Sequence, residues 1–218
     1  MLSDEKAVAF FANEMVLASV NAEEDTALTK EYFVSGFPTS VLVRPDGTEI
    51  DRIVGYMDVD DFLKTLTDYE NGIGTLDDLL SQAETDSSRT LAFEIADKYK
   101  YRGGRTEAAE WFNKIIAAGD PLDSLSGEAR MAVADLRYRD RAYDEAVAAY
   151  DKIIADFGKT PVSEQASVWV GYINQKKGDT TEAISRYEQF LKDFPKSEDT
   201  TFVQKQINKL KGIEAEDK

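Results

Sequence analysis

Apolar and polar positions change their spacing along this chain. Up to Tyr69, short helical patterns alternate with short β-branched runs; beyond Thr75 the spacing is helical throughout. Ser3-Asp4-Glu5 caps a helix carrying Val8, Phe10, Phe11 and Met15. Val16–Val20 reads as a strand, Asn21–Asp25 as its polar exit and Ala27–Tyr32 as a short helix. Ser40–Arg44 and Glu49–Val54 flank Pro45-Asp46-Gly47 and form a hairpin. Asp58 caps Val59–Tyr69, with Phe62, Leu63 and Leu66 on its apolar face, and Asn71-Gly72-Ile73-Gly74 is a linker. Thr75–Glu84 is amphipathic, with Leu76, Leu79, Leu80 and Ala83 on one side. A last helix, Asp199–Leu210, places Phe202, Val203, Ile207 and Leu210 to cover an open helical face.

Between these outer elements the sequence repeats itself. Gly178–Pro195 has counterparts at Asp140–Phe157 and Gly103–Asp120. Ala108, Ala146 and Ala183 recur at intervals of 38 and 37 residues, each preceded by Glu and followed four residues later by Phe112, Tyr150 or Tyr187. Ala lets two helices approach, and the aromatic one turn on fills the space beside it. Ala96, Ala134 and Gly171, each next to an apolar residue, stand twelve residues before the three alanines. Such a unit cannot bury its apolar face alone, so units stack. The pattern over roughly 89–197 resembles the tetratricopeptide repeat, a helix-turn-helix of 34 residues. The third copy matches best, with Gly171, Gly178-Asp179, Glu182-Ala183, Tyr187 and Pro195 in register. The second departs most, since Asp140-Arg141 replaces the Gly-Asp turn and Gly158 stands where Pro is usual.

The order strand, helix, Gly36-Phe37-Pro38-Thr39, hairpin, Gly55, helix resembles the C-terminal half of a thioredoxin fold. The resemblance implies a cis Pro38, with the Phe37 backbone offered to an extended peptide and Thr39 and Gly55 beside it. The family's opening strand, helix and Cys-x-x-Cys-bearing strand have no counterpart here. The chain therefore reads as N-terminally truncated, or as a short protein whose half-sheet pairs with another chain or a second copy. The expected fold class is an α/β thioredoxin-like half domain with a three-stranded remnant, followed by an all-α tetratricopeptide solenoid. The expected division is 1–72, a linker helix at 73–88, and three repeats with a capping helix at 89–211.

Composition then narrows the chemistry. The 218 residues contain no Cys and no His, which removes Cys/His zinc sites, thiol chemistry and His-dependent triads. The net charge is −16, and residues 1–70 alone carry 15 acidic against 5 basic side chains. That surface repels phosphate backbones and anionic lipid, so neither nucleic acid nor membrane insertion is expected. Asp58, Asp60 and Asp61 do not form an EF-hand loop, because Leu63 stands where Gly is needed. No P-loop or dinucleotide fingerprint is present. No catalytic residue, metal or cofactor is assigned.

Binding is the remaining chemistry. The tetratricopeptide resemblance implies a groove lined by the first helix of each repeat: Phe93, Lys100 and Tyr101, then Met131, Tyr138 and Arg139, then Val168, Tyr172 and Lys176. These suit an extended peptide of acidic character. Trp111 and Trp169 are expected in the core. The first functional reading is a non-catalytic interaction module. The second is a C-terminal fragment of a thiol–disulfide oxidoreductase whose cysteines lie upstream. A third is a scaffold that dimerises through the exposed sheet edge. No export signal opens the chain. That suggests the cytoplasm if the chain is complete, and export if a signal lies upstream.

Overall fold

The structure, a computed structural model, describes residues 2–213. The chain divides into two compact units, one ending at Ala108 and the other beginning at Ala109.

In the first unit, α1 (Glu5–Asn13) starts where the Asp4 side chain accepts from the Lys6 amide. The short α2 (Thr26–Glu31) is capped by Asp25. β1 (Thr39–Val43) and β2 (Glu49–Val54) then form an antiparallel hairpin in which Thr39 faces Val54 and Leu42 faces Asp51. Its turn is closed by hydrogen bonds from the Gly47 amide to Arg44 O and from the Arg44 amide to Thr48 O. Gly47 sits at φ 85°, where a side chain would strain the backbone. α3 (Val59–Glu70) begins at the Asp58 cap, which accepts from the Asp61 amide at 3.0 Å. It lays Phe62 and Leu66 over Ile53, with Phe10, Phe11 and Met15 closing the cluster. α4 (Leu76–Gln82), capped by Thr75, packs against α5 (Arg89–Tyr101).

One expectation is corrected. Val16–Val20 is not a strand: it lies outside any ladder, and Val16 is 99% exposed. The sheet has two strands rather than three. A β-branched run becomes a strand only where a neighbour takes its amides and carbonyls, and none among the described residues does so.

α6 (Arg105–Ala118) crosses from the first unit into the second. The second unit continues with α7 (Ser124–Arg139), α8 (Tyr143–Phe157), α9 (Pro161–Lys177), α10 (Thr180–Asp193) and α11 (Thr200–Leu210). Consecutive helices from α7 to α11 pack against each other, and α7 also meets α9. Ala134, Ala146, Tyr150, Ile153, Ala166, Val170 and Ile173 form one core cluster. Tyr187, Phe190, Val203 and Ile207 form another, so α11 covers α10 as its spacing predicts. Gly171 is required by packing, because a Cβ there would lie 2.4 Å from a ring carbon of Tyr187. The αL turn position after α9 is Gly178 at φ 84°; after α7 the same position is Arg141 at φ 63°. The second repeat thus keeps the turn geometry with a residue that disfavours it.

Candidate functional site: an aromatic ledge on α7 and α9

α7 and α9 are the first helices of the second and third repeats. Tyr138 lies near the end of α7, and Trp169 and Tyr172 lie one turn apart on α9. Because α7 meets α9, their rings converge. Tyr138 lies 5.6 Å from Trp169 and 5.9 Å from Tyr172 between ring centroids, and Trp169 meets Tyr172 edge-on at 5.5 Å. Tyr143, at the start of α8, adds a fourth ring 5.8 Å from Tyr138. Beneath them Trp169 stacks on buried Tyr150 at 6.2 Å, with ring planes 4° apart. The four upper rings are half-buried, so they form a fixed aromatic ledge with exposed edges.

The polar tips of this ledge are ordered by charge and hydrogen bonding. Interaction between the Tyr138 and Tyr172 hydroxyls pushes Tyr138 up to about 12 and lowers Tyr172 below its ordinary value. The Lys176 ammonium, 5.2 Å from the Tyr172 ring centroid, favours Tyr172 ionisation further. Arg139 is exposed but ion-paired with Asp135 at 2.7 Å. Met131 packs against the core cluster below, and Val168 against the cluster built on Tyr187. Trp169 packs on the core, as its sequence context suggested, and also contributes to the ledge.

The α5 positions lie in the first unit. Phe93 is half-buried beside Tyr69 and Leu79. Lys100 pairs with Asp97 and lies 4.6 Å from the Tyr101 ring centroid. The Tyr101 carbonyl accepts from an Arg52 guanidinium nitrogen at 2.6 Å.

The hairpin positions form a separate group. The Phe37–Pro38 peptide bond is cis. Phe37 is 69% exposed, and its backbone makes no hydrogen bond among the described residues. Pro38 O accepts from the Gly55 amide at 2.8 Å, and the Thr39 hydroxyl donates to Gly36 O at 2.7 Å.

A charged cluster had no forecast in the sequence. Asp51, fully buried on β2, accepts from the Leu76 amide at 2.8 Å, from Lys98 Nζ at 2.9 Å and from its neighbour's amide at 2.7 Å. Arg102 stands 3.0 Å from Asp51 Oδ1, the oxygen that also takes the Arg52 amide, and donates to Ile50 O. Arg52 is held by Glu49. Together these groups pin α4 and α5 to β2. The available signal was the placement of Asp51 and Arg52 inside a strand flanked by Ile50 and Ile53.

Among the described residues no group of three His, Cys, Asp or Glu side chains is gathered as a metal site requires, and no helix is long and apolar enough to cross a membrane. The thioredoxin-like domain model matches residues 1–70, and a tetratricopeptide repeat model matches residues 165–197. No curated protein matches the chain significantly. Among solved structures, a crystal structure of MamA is 18% identical and aligns over 73% of this chain and 88% of its own, with a TM-score of 0.52. The putative kinesin light chain of Podosopora anserina, with nearly identical TPR-like repeats, is 16% identical over 72% of this chain and 89% of its own, with a TM-score of 0.52. At these identities the likeness establishes the helical-repeat fold alone.

Proposed function

We propose that this chain, a thioredoxin-like segment joined to tetratricopeptide repeats, is a non-catalytic protein-interaction module whose second and third repeats receive an extended peptide of acidic character. The ledge of Tyr138, Tyr143, Trp169 and Tyr172 carries this reading. Rigid half-buried rings offer large contact area at small entropy cost, and their hydroxyls satisfy a peptide backbone. Lys176 supplies the charge preference, since Arg139 shares its charge with Asp135. Met131 supports the ledge from below. Phe93, Lys100 and Tyr101 are the corresponding positions of the first repeat. Phe37, Pro38, Thr39 and Gly55 form a second, independent platform for an extended chain. The functional division is 1–72, 73–88 and 89–211.

Selection from a displayed random-peptide library tests the reading. Enriched peptides are expected to carry Asp or Glu beside an apolar residue. Tyr172→Ala should weaken them at least about tenfold, or ~1.4 kcal/mol, and Lys176→Glu should disfavour acidic members selectively. Selection of basic peptides, or affinity untouched by both substitutions, would contradict it.

A second reading is favoured by the hairpin. Each strand of a two-stranded sheet keeps one edge without a ladder, and Val16, Leu17 and Val20 are exposed nearby in sequence. Such an edge takes a further strand. In this reading the strand belongs to a thiol–disulfide oxidoreductase of which this chain is the C-terminal part, or to a second copy. Translating the DNA upstream of Met1 distinguishes these: a strand followed by Cys-x-x-Cys supports the oxidoreductase. A dimer by light scattering that Val41→Lys disperses supports the second copy, and a monomer with no upstream cysteines removes both.

A further inference from the structure

Ile73 stands between α3 and α4 with 57% of its surface exposed. It is flanked by Gly72 at φ 75° and Gly74 at φ 67°, backbone angles that most side chains resist. The turn is fixed: the Ile73 amide donates to Asp68 O at 2.8 Å, and the Gly74 amide donates to an Asp78 carboxylate oxygen at 2.7 Å. An apolar side chain held outward by a hydrogen-bonded turn is a defined surface feature.

Ile73 overlooks a cleft of about 400 Å³ within the first unit, at the low end of the size range of small-molecule pockets. Its floor is Tyr69, Leu79 and Phe93, and its charged rim is Asp68, Glu94, Asp97 and Lys98. The single rim cation is committed inward, since Lys98 Nζ lies 2.9 Å from buried Asp51. Glu94 has no ion-pair partner among the described residues. Asp68 and Asp97 pair with Lys64 and Lys100, neither of which lines the cleft. The mouth therefore carries one carboxylate without a cation, Glu94, beside two paired ones, over an apolar floor.

We infer that this cleft docks a protein segment in which a bulky apolar residue is flanked by Lys or Arg. The apolar residue covers Ile73 and enters between Tyr69, Leu79 and Phe93, while the flanking cations meet Glu94, Asp68 and Asp97. Charge complementarity selects this occupant: Asp68 and Asp97 share their charge with Lys64 and Lys100, but an acidic segment would meet the unpaired Glu94 and an uncharged one would leave it unanswered. The site prefers the opposite charge from the Tyr138–Tyr172 ledge and stands whether or not the ledge binds peptide.

The test is fluorescence anisotropy with a labelled Lys-Arg-Phe-Leu-Arg-Lys peptide at about 0.15 M salt, where weak surface attraction is screened. Controls are Lys-Arg-Gly-Ser-Arg-Lys and Glu-Asp-Phe-Leu-Asp-Glu. Saturable binding of the first alone is expected. Glu94→Lys and Ile73→Asp, both at exposed positions, should weaken it at least about tenfold. Glu24→Lys, an equal charge change outside the cleft, should move it less than about twofold. In the unsubstituted protein the peptide should shift the Leu79 and Phe93 resonances, a readout independent of variant folding. Equal binding of the Gly-Ser peptide, equal loss with Glu24→Lys, or unmoved Leu79 and Phe93 resonances would overturn the inference. So would preference for the acidic peptide, or a dimer of the protein alone that Ile73→Asp disperses.

Discussion

Tyr150 is fully buried, stacks on Trp169, and carries a hydroxyl that no group among the described residues satisfies. An unpaired buried hydroxyl costs free energy that its ring packing must offset. Tyr150→Phe keeps the ring and removes the orphan, so the urea midpoint should rise, by about 1 kcal/mol in stability. A fall would mean that the hydroxyl has a partner in solution. Burial also pushes the phenols of Tyr150 and Tyr187 up, Tyr187 to about 12, while the hydrogen bond to Tyr172 raises Tyr138 equally far. The unfolded chain ionises these phenols at about 10. Their stabilising contribution is thus complete below that pH and is lost as the pH climbs toward 12. Tyr172 runs the other way and ionises first. Tyr138→Phe should move the Tyr172 titration upward, read from its ring carbon resonance; an unmoved titration would show that the hydrogen bond is absent. At this scale the sequence was legible wherever partners sit one turn apart, as Ala183 and Tyr187 do. The orphan hydroxyl was not, because a Tyr reads like Phe at a repeat's aromatic position.

Among elements, the junction of β2 with α4 and α5 depends on Asp51. Removing its carboxylate leaves Lys98 without its carboxylate partner, leaves Arg102 with Glu49 alone, and leaves the Leu76 amide without an acceptor. Asp51→Ala should therefore destabilise the first unit by about 3 kcal/mol and raise amide exchange in α4 and α5 together. Asp51→Asn keeps an acceptor for Leu76 and should cost less. Unchanged exchange in α5 would show that the junction is held by apolar contacts alone. The hairpin could be read from its turn residues and alternation, and α3 from its Asp58 cap, because these signals are local. The junction could not, since Asp51 and Lys98 are 47 residues apart. Val16–Val20 failed for a related reason: β-propensity describes fitness for a ladder, and the ladder partner is not local.

For the molecule as a whole, a net charge of −16 favours cationic partners at long range, whereas the proposed ledge reading relies on one local cation, Lys176, to draw an acidic peptide. If both proposals hold, local chemistry and global field sort partners between two surfaces of opposite preference. The repeat architecture was legible because the same small and aromatic residues recur at nearly constant spacing. The positions within it that form the ledge were only partly so. Tyr138 and Tyr172 follow from the repeat pattern, whereas Tyr143 joins them because α8 packs on α7, and Trp169 because α7 meets α9. The central claim is that this ledge receives a peptide. The most direct measurement is titration of a library-selected peptide into the isotope-labelled chain, followed by magnetic resonance. The account predicts that Tyr138, Tyr143, Trp169, Tyr172 and Lys176 signals shift together and that Tyr172→Ala abolishes the shifts. Saturable binding that leaves α7 and α9 unmoved would contradict it.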